Sequence, residues 1–238
     1  MSARDAAALP AVILAGGLGT RLGTLTADIP KPLVPVCGRP FLDWLLSWLA
    51  KTGVAEVILL IGYLGEKTRA FVGDGRQWGL AVRYSVEPTP LGTGGALKHA
   101  SNSLPDRFLL LYGDSYLPID YADVSRTFNA SDADAMMVLY ADRSGSTAVN
   151  ANATIDAGGC VREFRKGDAS GMTHIDAGAV ALNRSVLSRL PDGSSSLETE
   201  LYPVLAAEGR LMAYRTDQRF YDMGTPAGLA EIERLLSR

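Results

Sequence analysis

Two short stretches concentrate the residues able to do chemistry. In "PAVILAGGLGTRLG" (Pro10–Gly23) four apolar residues, Val12 to Ala15, lead straight into Gly16, Gly17 and Gly19, with Arg21 just behind. A glycine-rich turn leaving a buried strand exposes bare backbone N–H groups, and such a nest attracts phosphate. Further on, in "DIPKPLVPVCGRP", Lys31 stands between Pro30 and Pro32. The prolines stiffen its backbone and remove neighbouring donors, which suits a fixed cation near polyphosphate. Two carboxylates extend the set. Asp114 closes "RFLLLYGD", at the C-terminal strand edge where α/β sites lie, and Asp222 follows the aromatic run in "FYDMGTP". Mg²⁺ takes a few carboxylates together with substrate phosphates, so two aspartates from distant strands fit it.

Two other phosphate loops fit poorly. A Walker A loop needs GxxxxGK[ST], whereas this turn has Thr20-Arg21 in place of Lys-Ser/Thr. A dinucleotide fingerprint needs a third glycine where Leu22 stands; Gly23 gives only a looser spacing, and the second strand ends "LLIGYLG" without an acid for the ribose.

The elements that must hold these residues alternate between apolar runs and amphipathic stretches, which predicts a mostly parallel sheet with helices on its faces. The strands expected are Ala11–Ala15, Glu56–Ile61, Ala81–Val86, Phe108–Tyr112, Ala135–Tyr140, His174–Leu182 and Leu211–Tyr214. The helices expected are Phe41–Lys51, Glu66–Val72, Gly94–Ser103, Tyr121–Phe128, Leu197–Ala207 and Pro226–Leu236, the last-but-one with Ser196 as its N-cap. Trp44 and Trp48 read as a core pair, and Ala141–Asp168 as an irregular insertion before the sheet resumes.

The chain of 238 residues reads as one domain large enough to fold without disulfides or structural metal. Its two cysteines, Cys37 and Cys160, are far apart and outside any zinc pattern; Cys37 reads as a packed small hydrophobe. A net charge of −3 argues against nucleic acid or a membrane surface as partner. Apolar runs stay far below the ~18 residues of a membrane span, and "MSARDAAALP" lacks a signal-peptide core, which makes the cytoplasm the expected compartment.

"VILAGGLGTRLGTLTADIPKPLVPVCGRPFLDW" resembles the N-terminal signature of the sugar-1-phosphate nucleotidyltransferases, and the likeness continues through "EPTPLGTGGAL", "LLLYGDS" and "FYDMGTPAGLAEIERLL". Within that family the short length and the "GTGGAL" and "DMGTP" blocks look most like the heptose-1-phosphate guanylyltransferases. The resemblance implies a three-layer Rossmann-like α/β fold, with the nucleotide half at about 1–115 and the sugar-phosphate half at about 116–238. It implies attack by a sugar 1-phosphate on the α-phosphorus of an NTP, with pyrophosphate leaving and Mg²⁺ as cofactor. Arg21, Lys31 and Asp114 would then be catalytic, Arg21 on the departing β,γ-phosphates and Lys31 on the α-phosphate. Leu14, Ala15, Gly16, Gly17, Gly19, Thr20, Glu87, Gly92 and Thr93 would bind nucleotide, and Asp114 and Asp222 the metal.

On the sugar side the resemblance implies Gly113, Lys166, Asp176 and Gly178. Relatives carry Glu-Lys where this chain has Arg165-Lys166, leaving Glu163 as a displaced substitute, and Asn where it has Asp176. At the base, an ionised Glu87 only accepts hydrogen bonds. Guanine offers two adjacent donors, N1–H and the 2-amino group, whereas uracil and thymine offer one N–H between acceptors. The residue therefore favours GTP. The alternatives are a uridylyl- or thymidylyltransferase acting on a hexose or N-acetylmuramate 1-phosphate, and a catalytically silent nucleotide-sugar sensor. Oligomeric state, a homodimer included, is not encoded in any motif.

Overall fold

The structure is a computed structural model that describes residues 8–142, 145, 147–167 and 170–237. The expectations for the N-terminal segment and for part of the 141–168 insertion therefore lie outside the described residues.

In chain order the strands are β1 (Ala11–Leu14), β2 (Pro35–Val36), β3 (Arg39–Pro40), β4 (Glu56–Ile61), β5 (Ala81–Val86), β6 (Arg107–Tyr112), β7 (Ser115–Tyr116), β8 (Ala135–Tyr140), β9 (Ala153–Ile155), β10 (Val161–Phe164), β11 (Ile175–Asn183), β12 (Leu211–Thr216) and β13 (Tyr221–Asp222). The α-helices are α1 (Phe41–Lys51), α2 (Gly65–Val72), α3 (Gly92–Ala100), α4 (Tyr121–Asn129), α5 (Tyr202–Ala207) and α6 (Pro226–Leu236).

Seven strands form one sheet in the order β12-β8-β11-β6-β1-β4-β5. All neighbours run parallel except around β11, which is antiparallel to both β6 and β8. Strand side chains alternate between two faces. Ala11, Ile13, Leu59 and Leu111 join one buried cluster with α1, α4 and Ile232 of α6. Val12, Ile58, Leu60 and Leu110 join a second with α3 and α5. The result is three layers, as the alternation of apolar runs predicts. β1, β4 and β6 are buried almost throughout, which is why they read as continuous apolar runs rather than alternating ones.

Three local expectations are corrected. The helix expected over Leu197–Ala207 opens as a π turn, Leu197–Leu201, and becomes α-helical only from Tyr202. Ser196 precedes that turn but makes no side-chain cap; its hydroxyl donates to Glu198 instead. Cys37 is exposed rather than packed, because it and Gly38 are the two central residues of the β2–β3 hairpin and both take positive φ (50° and 77°), as a tight primed turn requires. Trp44 and Trp48 both pack, partly buried, against the first cluster as the sequence predicts, each donating its indole N–H to a backbone carbonyl, of Val36 and Ile119 respectively.

Candidate active site

The site lies where β1 sits between β4 and β6, beyond their C-terminal ends. Leu14 and Tyr112 are register partners, so Ala15–Gly17 and Gly113–Asp114 leave the sheet side by side. On the other flank Ile61 pairs with Val86, and the next residues are Gly62 and Glu87. Such a carboxyl edge at a change in strand order is the usual ligand crevice of an open α/β sheet.

A cleft of about 400 Å³ opens there. Its walls include Leu14, Ala15, Gly16, Gly17, Gly19, Thr20, Arg21, Lys31, Glu87, Gly92, Thr93, Gly113 and Asp114, thirteen of the residues singled out from sequence. Space at Gly16 is tight: a Cβ there would lie 2.5 Å from Oε1 of Glu87, displacing that side chain, and 3.1 Å from the amide nitrogen of Gly62. Gly19 takes φ +67, and its carbonyl accepts the Thr26 hydroxyl at 3.0 Å, pinning the turn. Among the described residues none accepts a hydrogen bond from the N–H groups of Gly17, Leu18 or Gly19. Those donors stand unspent at the mouth of the cleft.

Charge gathers at Asp114. Lys31, only 11% exposed, pairs with Oδ2 of Asp114, and the Arg21 guanidinium lies 4.0 Å from the same oxygen. Pro30 is extended and Pro32 sits in the first turn of the short 3₁₀ helix Lys31–Leu33, so the lysine backbone is fixed from both sides. Asp222 arrives from far along the chain. It pairs with Ser115 across the two-residue ladder β7–β13, while the Met223 N–H donates to the Asp114 carbonyl at 2.9 Å. Burial, and then the negative charge of Asp114, push the Asp222 carboxyl above its ordinary range; the Gly224 N–H, Lys31 and Arg21 oppose that rise. Two carboxylates brought together beside two cations form a donor set suited to a hard divalent cation completed by phosphate oxygens. Among the described residues no group of three or more His, Cys, Asp or Glu is placed to hold a metal ion.

Glu87 forms the opposite arm. Its Oε2 accepts the Leu91 N–H at 3.1 Å, closing the loop into α3. Helix α3 starts at Gly92, two residues earlier than the sequence predicts, which puts Gly92 and Thr93 in its first turn against the cleft.

The remaining expected residues, Lys166, Asp176 and Gly178, stand next to the cleft rather than in its wall, around a residue that sequence reading missed. That residue is Glu198. Its Oε1 accepts the Tyr112 hydroxyl at 2.7 Å, and its Oε2 accepts the Thr93 hydroxyl at 2.9 Å and the Ser196 hydroxyl at 2.6 Å. Lys166 Nζ lies 3.7 Å from Oε2. Glu163 does not serve Lys166; it pairs with Arg165. Burial pushes the Asp176 carboxyl up to about 7; the Gly178 N–H, donating at 2.9 Å, opposes this and the charge of Glu198 adds to it.

The family model described as nucleotidyl transferase matches residues 10–238. The chain belongs to that family. Among relatives, this nucleotidyl transferase is 35% identical over 221 residues to a mannose-1-phosphate guanylyltransferase of Mycobacterium tuberculosis, covering 91% of this chain and 61% of that protein. It is 41% identical over 112 residues to a D-glycero-alpha-D-manno-heptose 1-phosphate guanylyltransferase of Campylobacter jejuni, covering 47% of this chain and 50% of the relative. The chain thus spans about half to six tenths of the length of these relatives. Among solved structures, HddC from Yersinia pseudotuberculosis superposes with a TM-score of 0.80 at 29% identity, covering 96% of this chain and 99% of that one. The same protein has also been solved complexed with GMP-PN. No helix among the described residues of the nucleotidyl transferase is long and apolar enough to cross a membrane.

Proposed function

We propose that the protein transfers GMP from GTP to a sugar 1-phosphate of manno configuration, releasing pyrophosphate. D-glycero-D-manno-heptose 1-phosphate is the favoured acceptor. Residues 1–115 would serve mainly the nucleotide and 116–238 mainly the sugar. The observation that carries the reading is that one cleft holds both the acceptor-only Glu87 and the Arg21–Lys31–Asp114 charge group.

The sugar phosphate is already an anionic nucleophile, so no side chain need remove a proton from it. The protein's task is to align two polyanions and neutralise developing charge. The free N–H groups of Gly17 and Gly19 would cradle the triphosphate. Arg21, exposed at the rim, would hold the departing β,γ-phosphates, and Lys31, rigid and largely enclosed, the α-phosphate. Lys166 would carry the phosphate of the incoming sugar. Glu87 would accept N1–H and the 2-amino group of guanine while keeping its bond to Leu91, since an ionised carboxylate accepts about four hydrogen bonds. The family generally works with a divalent metal ion. Asp114 and Asp222 would hold Mg²⁺, which when bound supplies positive charge to the phosphates and helps fix their geometry.

Mannose 1-phosphate is the second reading, supported by the match to the mannose-specific relative over 91% of this chain. Pyrophosphate release from GTP, UTP, dTTP and ATP, each with manno-heptose, mannose, glucose and N-acetylmuramate 1-phosphates, tests the proposal. Turnover is expected with GTP and a manno-configured acceptor. A clear preference for UTP or dTTP would overturn the argument from Glu87.

A further inference from the structure

Glu198 keeps only 12% of its side chain exposed, yet three elements converge on it. The π turn carries it, Thr93 reaches it from the first turn of α3, and Tyr112 reaches it from the end of β6. The contact is reciprocal: the Leu197 N–H donates to the Thr93 hydroxyl at 3.0 Å, so turn and helix lock together. Burial alone would raise the Glu198 carboxyl. The hydroxyls of Ser196 and Tyr112, the group's own backbone N–H and the Thr93 hydroxyl outweigh it and hold the carboxyl below its ordinary range, so it stays ionised.

A buried anion fed mainly by hydroxyls has a chemical character. It is built to accept O–H donors, and among the described residues Tyr112 is the one side chain that hydrogen-bonds Oε1, while each carboxylate oxygen accepts about two hydrogen bonds. Its position is equally specific. Thr93 and Tyr112 line the cleft, and Lys166, 59% exposed, approaches Oε2 from the solvent side. A molecule with an anionic phosphate on Lys166 and a hydroxyl-bearing ring beside it would meet the open side of Glu198. Two carboxylates singled out on this side from the sequence are less suited to the role. Glu163 is held by Arg165, and Asp176, which faces Glu198, Tyr112 and Tyr202, is pushed towards its neutral form by burial.

We propose that Glu198 is a specificity-determining residue of the sugar subsite, its carboxylate accepting a ring hydroxyl of the sugar whose phosphate Lys166 holds. The inference rests on the guanylyltransferase reading. It says which side chain makes one hydroxyl of the sugar indispensable, because a buried acceptor left without its donor penalises any analogue lacking that group.

The test is steady-state kinetics at saturating GTP, on wild type, Glu198→Gln and Tyr112→Phe, with the preferred sugar 1-phosphate and its monodeoxy analogues. Wild type should discriminate against one monodeoxy analogue by about 10- to 100-fold in kcat/KM. Glu198→Gln should erase most of that ratio while leaving KM for GTP within about twofold. Tyr112→Phe, which keeps the carboxylate, should retain the ratio. A Glu198→Gln enzyme that slows equally on every analogue, or that raises KM for GTP instead, would make the residue a structural clamp and overturn the proposal. Should that variant not fold, wild type decides alone: no analogue disfavoured beyond about threefold would refute the role. Wild type silent with GTP and every sugar phosphate is a different result, which refutes the guanylyltransferase reading itself.

Discussion

Asp222 stands opposite Ser115 across a two-residue antiparallel ladder, which brings its carboxylate to Asp114, more than a hundred residues earlier in the chain. Burial, and then the negative charge of Asp114, raise the Asp222 carboxyl above its ordinary range when no metal is bound. Asp222→Asn should therefore leave the metal-free protein at least as heat-stable as wild type. It should abolish the rise in Tm that Mg²⁺ with GTP gives wild type, and lower turnover by about 100-fold or more. Thermal melts with and without Mg²⁺ and GTP check this; a full Mg²⁺-dependent rise in the variant would remove Asp222 from the metal site.

Arg21 is 62% exposed, and its contact to Asp114 is 4.0 Å long. An exposed pair of that kind contributes almost nothing to stability. Arg21→Ala should melt like wild type yet lose about 100-fold or more in kcat, since charge stabilisation at a transferring phosphate is among the larger catalytic terms. Melting and turnover measured on the same preparation separate the two, and near-normal turnover would contradict the role.

Glu87→Gln exchanges an acceptor-only group for one that also donates. The amide oxygen can keep the Leu91 N–H bond, so the loop into α3 should survive. The kcat/KM ratio of GTP to UTP should fall by about 10-fold or more. An unchanged ratio would mean that base choice is made elsewhere.

Lys166 is exposed and its ion pair with Glu198 is long at 3.7 Å. Lys166→Ala should raise KM for the sugar phosphate with little change in KM for GTP. The reverse pattern in a two-substrate titration would reassign the lysine to the nucleotide.

Asp176 gives a pH signature. Its carboxyl is pushed up to about 7 in the folded chain, against an unfolded value of 3.8. Between those values the folded state binds more protons than the unfolded one, so this group's contribution is full below about pH 4 and is lost as pH rises through about 7. Asp176→Asn, which keeps the shape and removes the titration, should therefore gain Tm relative to wild type between pH 5 and pH 8. Parallel Tm curves for the two proteins across that range would show that burial does not act on Asp176 as described.

The layers were legible because the buried strands are nearly uniform apolar runs and α1 and α6 carry helical spacing, so β4, β5, β8, α1 and α6 match the sequence reading residue for residue. The glycine-rich turn was legible too, since Gly19 takes the positive φ that favours glycine. What escaped was made by tertiary contact. The β7–β13 ladder is two residues long, too short for any period to register. Glu198 lies in "SSSLETE", where a serine before acidic residues reads as helix capping; the serine hydroxyl instead serves the glutamate side chain, and only folding brings Tyr112 and Thr93 to it. Arg165 before Lys166 looks like a lost carboxylate until β10 pairs it with Glu163 and the π turn supplies another acid.

One labelling experiment reaches the core of the account, that the sugar phosphate attacks the α-phosphorus of GTP in this cleft. Sugar 1-phosphate carrying ¹⁸O in its phosphate is turned over with GTP and Mg²⁺, and both products are weighed by mass spectrometry. The account predicts a GDP-sugar that retains all of the label, together with unlabelled pyrophosphate. Label in the pyrophosphate, or release of GMP with no nucleotide sugar formed, would contradict it.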